Sequence, residues 1–262
     1  MCGIAGYSLS PGSAVDRTLA AQALLAAIAE RGADAVGYAH RAPGTPVTVH
    51  KQRSGASALL DQVEVPDDAT HVLVHVRDYT KGHPTIAANN HPIRHGAVVG
   101  IHNGIIFNDD ELLERHGIER AEPEMTVDSE AIFALMDASA GRAHALEELR
   151  GSMATAWLDE RRPDVVFVAR GVGRPLWLGE GRQGTFFAST KQALEIVERY
   201  ARLRLHKREV PEGTLVALRD GREAWRERFE PDRSFSETPL PSVRAPHEGA
   251  SALRLLAALA AV

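Results

Sequence analysis

Cys2-Gly3-Ile4-Ala5-Gly6-Tyr7 opens the chain as a run of small and apolar residues with no charge. It reads as a short strand beginning at the very terminus. Cys2 is the single cysteine among 262 residues. Met ahead of a small residue such as Cys is usually removed, so the expected mature chain starts with a thiol and a free α-amine on one residue. The amine titrates near ~7.7–8.0 and the thiol near ~8.5 in model peptides. An unprotonated amine can therefore accept the thiol proton near neutral pH, directly or through a water, which puts nucleophile and base together by covalent geometry. Position alone does not decide the matter, because Cys also serves as a small hydrophobe.

Outward from this run, Ser13 and Asp16 resemble a capping box ahead of an Ala/Leu-rich helix to about Glu30, stopped at Arg31-Gly32. Val47–Lys51 reads as a strand, and Val72, Val74 and Val76 alternate with Leu73, His75 and Arg77 in strand period. A loop from Lys81 to His95 precedes a buried strand over Ala97–His102. Helices are expected over Asp109–Arg115, Val127–Ala138 and Lys191–Arg199. Strands are expected over Met153–Leu158, Val165–Ala169, Leu176–Leu178, Phe186–Ser189 and Thr214–Leu218. Antiparallel-looking strands with segregated helices favour α+β over a parallel α/β sheet. From Pro231 to Glu248 the composition turns to Pro, Ser and charge, a linker pattern. Gly249–Val262 then forms an apolar helix that must dock on this domain or on a partner. The expected division is 1–230 for the folded domain and 231–262 for linker and helix.

Bulk properties exclude several classes. A net charge of −5 with interspersed signs offers no nucleic-acid-binding face and no membrane-attracting patch. One cysteine forbids an intramolecular disulfide and a multi-Cys zinc site. The N-terminus lacks a secretory signal pattern, and the longest apolar stretch, Ala252–Val262, is too short to span a bilayer. The chain reads as cytoplasmic. Six of the twelve histidines fall between 71 and 102, but His91 and His95 are separated by Pro92, and no HExxH-type pattern occurs. No metal is expected.

Eight segments carry a family resemblance, in order along residues 2–194. They are Cys2-Gly3-Ile4-Ala5-Gly6, Arg31-Gly32-Ala33-Asp34-Ala35-Val36-Gly37, His75-Val76-Arg77-Asp78-Tyr79-Thr80-Lys81-Gly82 and Asn89-Asn90-His91-Pro92. His102-Asn103-Gly104-Ile105-Ile106-Phe107-Asn108, Val127-Asp128-Ser129-Glu130, Arg170–Leu176 and Ala188–Leu194 complete the set. Together they resemble the class II, N-terminal-nucleophile glutamine amidotransferases, the glutaminase domains of glucosamine-6-phosphate synthase, amidophosphoribosyltransferase and asparagine synthetase.

The resemblance implies a four-layer αββα sandwich of two antiparallel sheets, no cofactor, and a role for each motif. Cys2 is the implied nucleophile. Arg77 takes the substrate carboxylate in a bidentate fork, where a surface salt bridge is the plainer alternative. Asp128 holds the substrate ammonium, where a helix first-turn carboxylate is the alternative. The Asn103 side chain and the Gly104 N–H form the oxyanion hole; Asn-Gly is otherwise a hairpin-turn signal. Thr80 hydrogen-bonds near the substrate carboxylate and His91 supports the loop. Gly32 and Gly37 permit backbone geometry, and Asp34 is structural.

Two departures stand out: Asp78 follows Arg77 where hexosamine-type relatives carry an aromatic residue, and Phe107 replaces a more usual polar residue before Asn108. The implied activity is hydrolysis of L-glutamine to glutamate and ammonia through a Cys2 thioester, with ammonia passing to a synthase in trans. The alternatives are hydrolysis of a γ-glutamyl amide of a small metabolite, and a non-catalytic glutamine-sensing or partner-binding module.

Overall fold

The computed structural model describes residues 2–237 and 241–261. Its elements are β1 (Gly3–Leu9), α1 (Arg17–Ile28), β2 (Ala35–Arg41), β3 (Thr48–Gln52), β4 (His71–Arg77), β5 (Ile93–His95), β6 (Val98–Ile106), α2 (Asp109–His116) and α3 (Glu130–Ala138). They continue with β7 (Gly151–Asp159), β8 (Val165–Arg170), β9 (Trp177–Gly181), β10 (Gly184–Ala188), α4 (Lys191–Tyr200), β11 (His206–Glu209), β12 (Thr214–Arg219), β13 (Arg222–Arg228) and α5 (Pro246–Leu259). One sheet runs β11-β9-β10-β1-β4-β2-β3, the other β13-β12-β8-β7-β6-β5, and neighbouring strands pair antiparallel.

Strand alternation builds the layers. In β4, Val72, Val74 and Val76 join Leu24, Leu25 and Leu194 under α1 and α4, whereas Leu73 faces Ile101, Val168 and Val216 between the sheets. In β8, Val166 and Val168 face the same inter-sheet core, and Val165 and Phe167 turn outward to Phe133 and Trp157 beneath α3. Both faces of the central strands are therefore buried, which explains their near-continuous apolar runs. The result is an α+β, αββα sandwich, as expected from the sequence.

Local details depart from the sequence reading. The cap of α1 is Asp16, which accepts the Leu19 N–H at 2.8 Å, so the Ser13 capping box does not form. The helix expected from Val127 starts at Glu130, because Asp128 and Ser129 turn their side chains to other elements. Asn103-Gly104 lies inside β6 rather than in a hairpin turn, with Asn103 opposite Ala154 and Gly104 opposite Met153. β2, β5, β11 and β13 were not expected. β13, Arg-Glu-Ala-Trp-Arg-Glu-Arg, is a charged edge strand whose composition hides its conformation.

The C-terminal helix docks on the chain itself. Ala252 and Leu256 of α5 are fully buried in the core shared with α1. Residues 238–240 of the expected linker and Val262 of the expected helix lie outside the described residues. Among the described residues, no helix is long and apolar enough to cross a membrane.

Candidate active site

β1 lies in the middle of the seven-stranded sheet, between β10 and β4, and this fixes Cys2 at a central strand end. The Ser189 hydroxyl accepts the Ile4 N–H at 3.0 Å, and the buried Arg31 donates from Nε to the Cys2 carbonyl at 2.9 Å. Gly3 pairs with Val76, so Cys2 falls beside Arg77 at the end of β4. The Cys2 thiol points at the Asp78 carbonyl, 3.5 Å away. Burial pushes the thiol up, opposed by the Asp78 hydrogen bond and by the charge of Arg77. At rest the sulfur keeps its proton. Met1, whose removal would turn the Cys2 nitrogen into a free α-amine, lies outside the described residues.

Cys2, Thr80, Asn103 and Gly104 line one cavity of about 340 Å³ together with Asp78, Ile105, Phe107, Arg174, Ser236 and Glu237. Asn103 is fully buried, and neither atom of its amide finds a hydrogen-bond partner among the described residues. An unpaired buried polar group costs about 1–3 kcal/mol. An amide held at that cost on a cavity wall is available to a ligand oxygen. Gly104 adopts φ +151°, and a Cβ there would strike the Ser152 carbonyl, so β6 passes this point only with glycine.

Beneath this strand lies a neutral histidine cluster. His102 donates from Nε2 to the Ser152 carbonyl at 3.3 Å and accepts from the Ser129 hydroxyl at 2.8 Å, the tautomer following from the carbonyl acceptor. His75 donates to the His102 carbonyl at 3.0 Å. Burial brings both His75 and His102 down to about 3. His91 stacks on His75 with centroids 4.1 Å apart, and neither of its ring nitrogens has a partner among the described residues.

Arg77, Asp128 and His91 are buried and contribute nothing to the described cavity wall. The Arg77 guanidinium donates to Asn90 Oδ1 at 2.6 Å, to the Lys81 carbonyl at 2.9 Å and to the Gly82 carbonyl. Burial lowers its pKa, opposed first by Cys2 and then by Asp128. Asp128 accepts the Ile106 N–H at 2.7 Å, and burial pushes its carboxyl up to about 6 against that hydrogen bond. The structural reading of Asp34 fits: its carboxylate accepts the Tyr79 N–H at 2.9 Å and steadies the loop after β4. Gly32 packs so tightly on the Arg77 backbone that a Cβ would collide with it.

Sequence reasoning missed four contributors. Arg31 and Arg174 sit within the quoted motifs, where their charge could have drawn notice. Ser236 and Glu237 come from the Pro/Ser-rich tract and gave no signal. A larger cleft of about 890 Å³ near Glu180, Glu198 and Glu223 holds none of the motif residues. Its acids are answered by Arg208 and Lys207.

Two stacked antiparallel sheets, with the chain's first strand in the centre of one and Cys2 sharing a cavity with an Asn-Gly pair, define an N-terminal-nucleophile amidotransferase domain. Residues 80–196 match the family model described as glutamine amidotransferase domain. The glutamine–fructose-6-phosphate aminotransferase (isomerizing) of Methanothermobacter thermautotrophicus is 35% identical over 208 residues, covering 74% of this chain and 34% of that one. The enzyme of the same name from Shouchella clausii is 28% identical over 206 residues, covering 74% and 33%. The chain thus spans about a third of the length of these relatives. Among solved structures, glutamine phosphoribosylpyrophosphate amidotransferase from B. subtilis superposes with a TM-score of 0.68 at 22% identity, over 87% of this chain and 49% of that one. This chain carries a class II glutamine amidotransferase domain.

Proposed function

We propose that the protein hydrolyses L-glutamine to glutamate and ammonia, with Cys2 as nucleophile. The observation that carries this reading is the meeting of Cys2 with the unpaired Asn103 amide and the Gly104 backbone on one cavity wall.

After loss of Met1, the α-amine of Cys2 takes the thiol proton, and sulfur attacks the γ-carbonyl carbon. The carbonyl oxygen becomes an oxyanion held by Asn103 Nδ2 and the Gly104 N–H. The amine returns its proton to the amide nitrogen, the C–N bond breaks and ammonia leaves. Water then attacks the γ-glutamyl thioester, releasing glutamate and restoring the thiol. No cofactor takes part.

The substrate's α-groups go to Arg77 and Asp128, with Thr80 beside the carboxylate. Arg77 is occupied by the carbonyls of Lys81 and Gly82, so the loop that follows it must yield them when a carboxylate arrives. This exchange replaces neutral acceptors with a charged one, which strengthens the hydrogen bonds. Asp128 forms no ion pair among the described residues, and its counter-charge comes from the substrate ammonium. His91 acts only by packing under His75.

The reaction is placed in the cytoplasm, where the thiol stays reduced. The ammonia goes on to a synthase in trans. Rapid acid quench followed by mass spectrometry tests the chemistry. A γ-glutamyl adduct on the Cys2 peptide supports it, and an adduct elsewhere contradicts it.

A further inference from the structure

Beyond β13, residues 230–237 lead to the cavity that holds Cys2. The Glu230 N–H donates to Glu147, Arg233 pairs with Glu212 at 2.6 Å, and the Phe235 ring lies 5.9 Å from that of Phe107. Glu237 forms an ion pair with Arg174. Further on, Arg244 reaches Asp78 at 3.1 Å, and the amides of Arg244 and Ala245 both donate to the Glu30 carbonyl. Phe107, Arg174 and Asp78 all line the cavity that holds Cys2, as do Ser236 and Glu237 themselves. Ser236 and Glu237 are therefore part of the site's wall.

The lining divides by chemistry. Cys2 attacks, Asn103 and Gly104 receive the carbonyl oxygen, and Asp78 and Thr80 belong to the loop that Arg77 heads. The reacting carbon has one further substituent, the amide nitrogen. The residues left to surround it are Ile105, Phe107, Arg174, Ser236 and Glu237. Arg174 and Glu237 are only 10% and 19% exposed at their side chains, and Arg174 is fixed again by a 2.9 Å hydrogen bond to the Gly173 carbonyl. Such a pair is a rigid wall rather than two mobile surface charges.

We infer that the Arg174–Glu237 pair, with Ser236, closes the leaving-group side of the site and restricts it to the unsubstituted γ-amide. Ammonia fits as a leaving group, and γ-glutamyl amides with a bulky substituent on nitrogen are turned away. This inference rests on the glutaminase reading for its substrate head, but the wall itself can be probed without turnover.

The test uses the full chain as wild type, Glu237→Ala and the volume-conserving Glu237→Gln. Values of kcat/KM are measured for L-glutamine and for γ-L-glutamyl-ethylamide. Glu237→Ala is expected to shift the ratio toward the ethylamide by about 10–200-fold, the range a pocket imposes on a methylene or two, with Glu237→Gln moving it less. In parallel, Cys2, the one cysteine in the chain, is alkylated with iodoacetamide and with N-benzyl iodoacetamide. Opening the wall should raise the benzyl-to-small rate ratio in Glu237→Ala. Unchanged ratios in both assays overturn the inference. A relieved size barrier in labelling, with no γ-glutamyl amide hydrolysed, upholds the wall and sinks the glutaminase. Cys2-dependent glutamine hydrolysis with unchanged ratios does the reverse.

Discussion

The Asp128 carboxylate accepts a 2.7 Å hydrogen bond from the Ile106 amide, two residues beyond Gly104 on β6. The same strand thus presents the proposed oxyanion donors and holds the proposed ammonium partner. Ser129, the next residue, bonds His102 on that strand, and Glu130 pairs with Arg120 at 2.9 Å. Two consecutive motif residues, Asp128 and Ser129, thus tie the start of α3 to β6.

Asp128→Asn should separate stability from binding. Folded Asp128 keeps its proton up to about pH 6, whereas the unfolded carboxyl loses it near 3.9. The folded state binds more protons between those values, so stability falls as pH rises through the window. Asn removes that penalty. The variant should gain up to about 3 kcal/mol above pH 6 and nothing below about pH 4, as read by urea melts across pH. Glutamine binding should be lost, and wild-type KM should rise as pH drops below about 6.

Asn103→Ala should cost about 2.7–4 kcal/mol in kcat with little change in KM, because the donor is used in the transition state. Its amide has no partner among the described residues, so thermal stability should not fall by the usual amount for a lost buried hydrogen bond. A large drop in Tm would place Asn103 in the scaffold instead.

Arg77→Lys should raise KM strongly, by about 2–5 kcal/mol expressed as free energy, since an ammonium cannot reproduce a two-edged fork. It also forfeits the bonds to Asn90, Lys81 and Gly82, so the loop after β4 should show faster amide exchange. Slow exchange with normal KM would refute the role.

Leu256→Ala should destabilise the protein by about 2–5 kcal/mol in chemical denaturation, because Leu256 is fully buried against α1. An effect below about 0.5 kcal/mol would mean that α5 is not packed there in solution.

The α+β class was legible in strands such as that expected over Val165–Ala169, whose alternate residues feed two different cores, whereas the four-layer arrangement came from the family resemblance. Cys2, Asn103 and Gly104 were readable as a set because the motif order is linear in the sequence. What escaped depends on tertiary context. Asn103-Gly104 has the composition of a turn, yet pairing with β7 keeps it extended. β13 carries its charges on an exposed edge, so no apolar period marks it. Glu237 sits in a tract with no regular pattern, and only its pairing with Arg174, 63 residues earlier, brings it to the cavity.

The decisive measurement is glutamate release from L-glutamine by the purified protein, with loss of Met1 confirmed by intact mass, against Cys2→Ala. Release by the wild type that vanishes in the variant is the expected result. Equal release from both proteins would show that Cys2 is not the nucleophile and would contradict the mechanism at its first step.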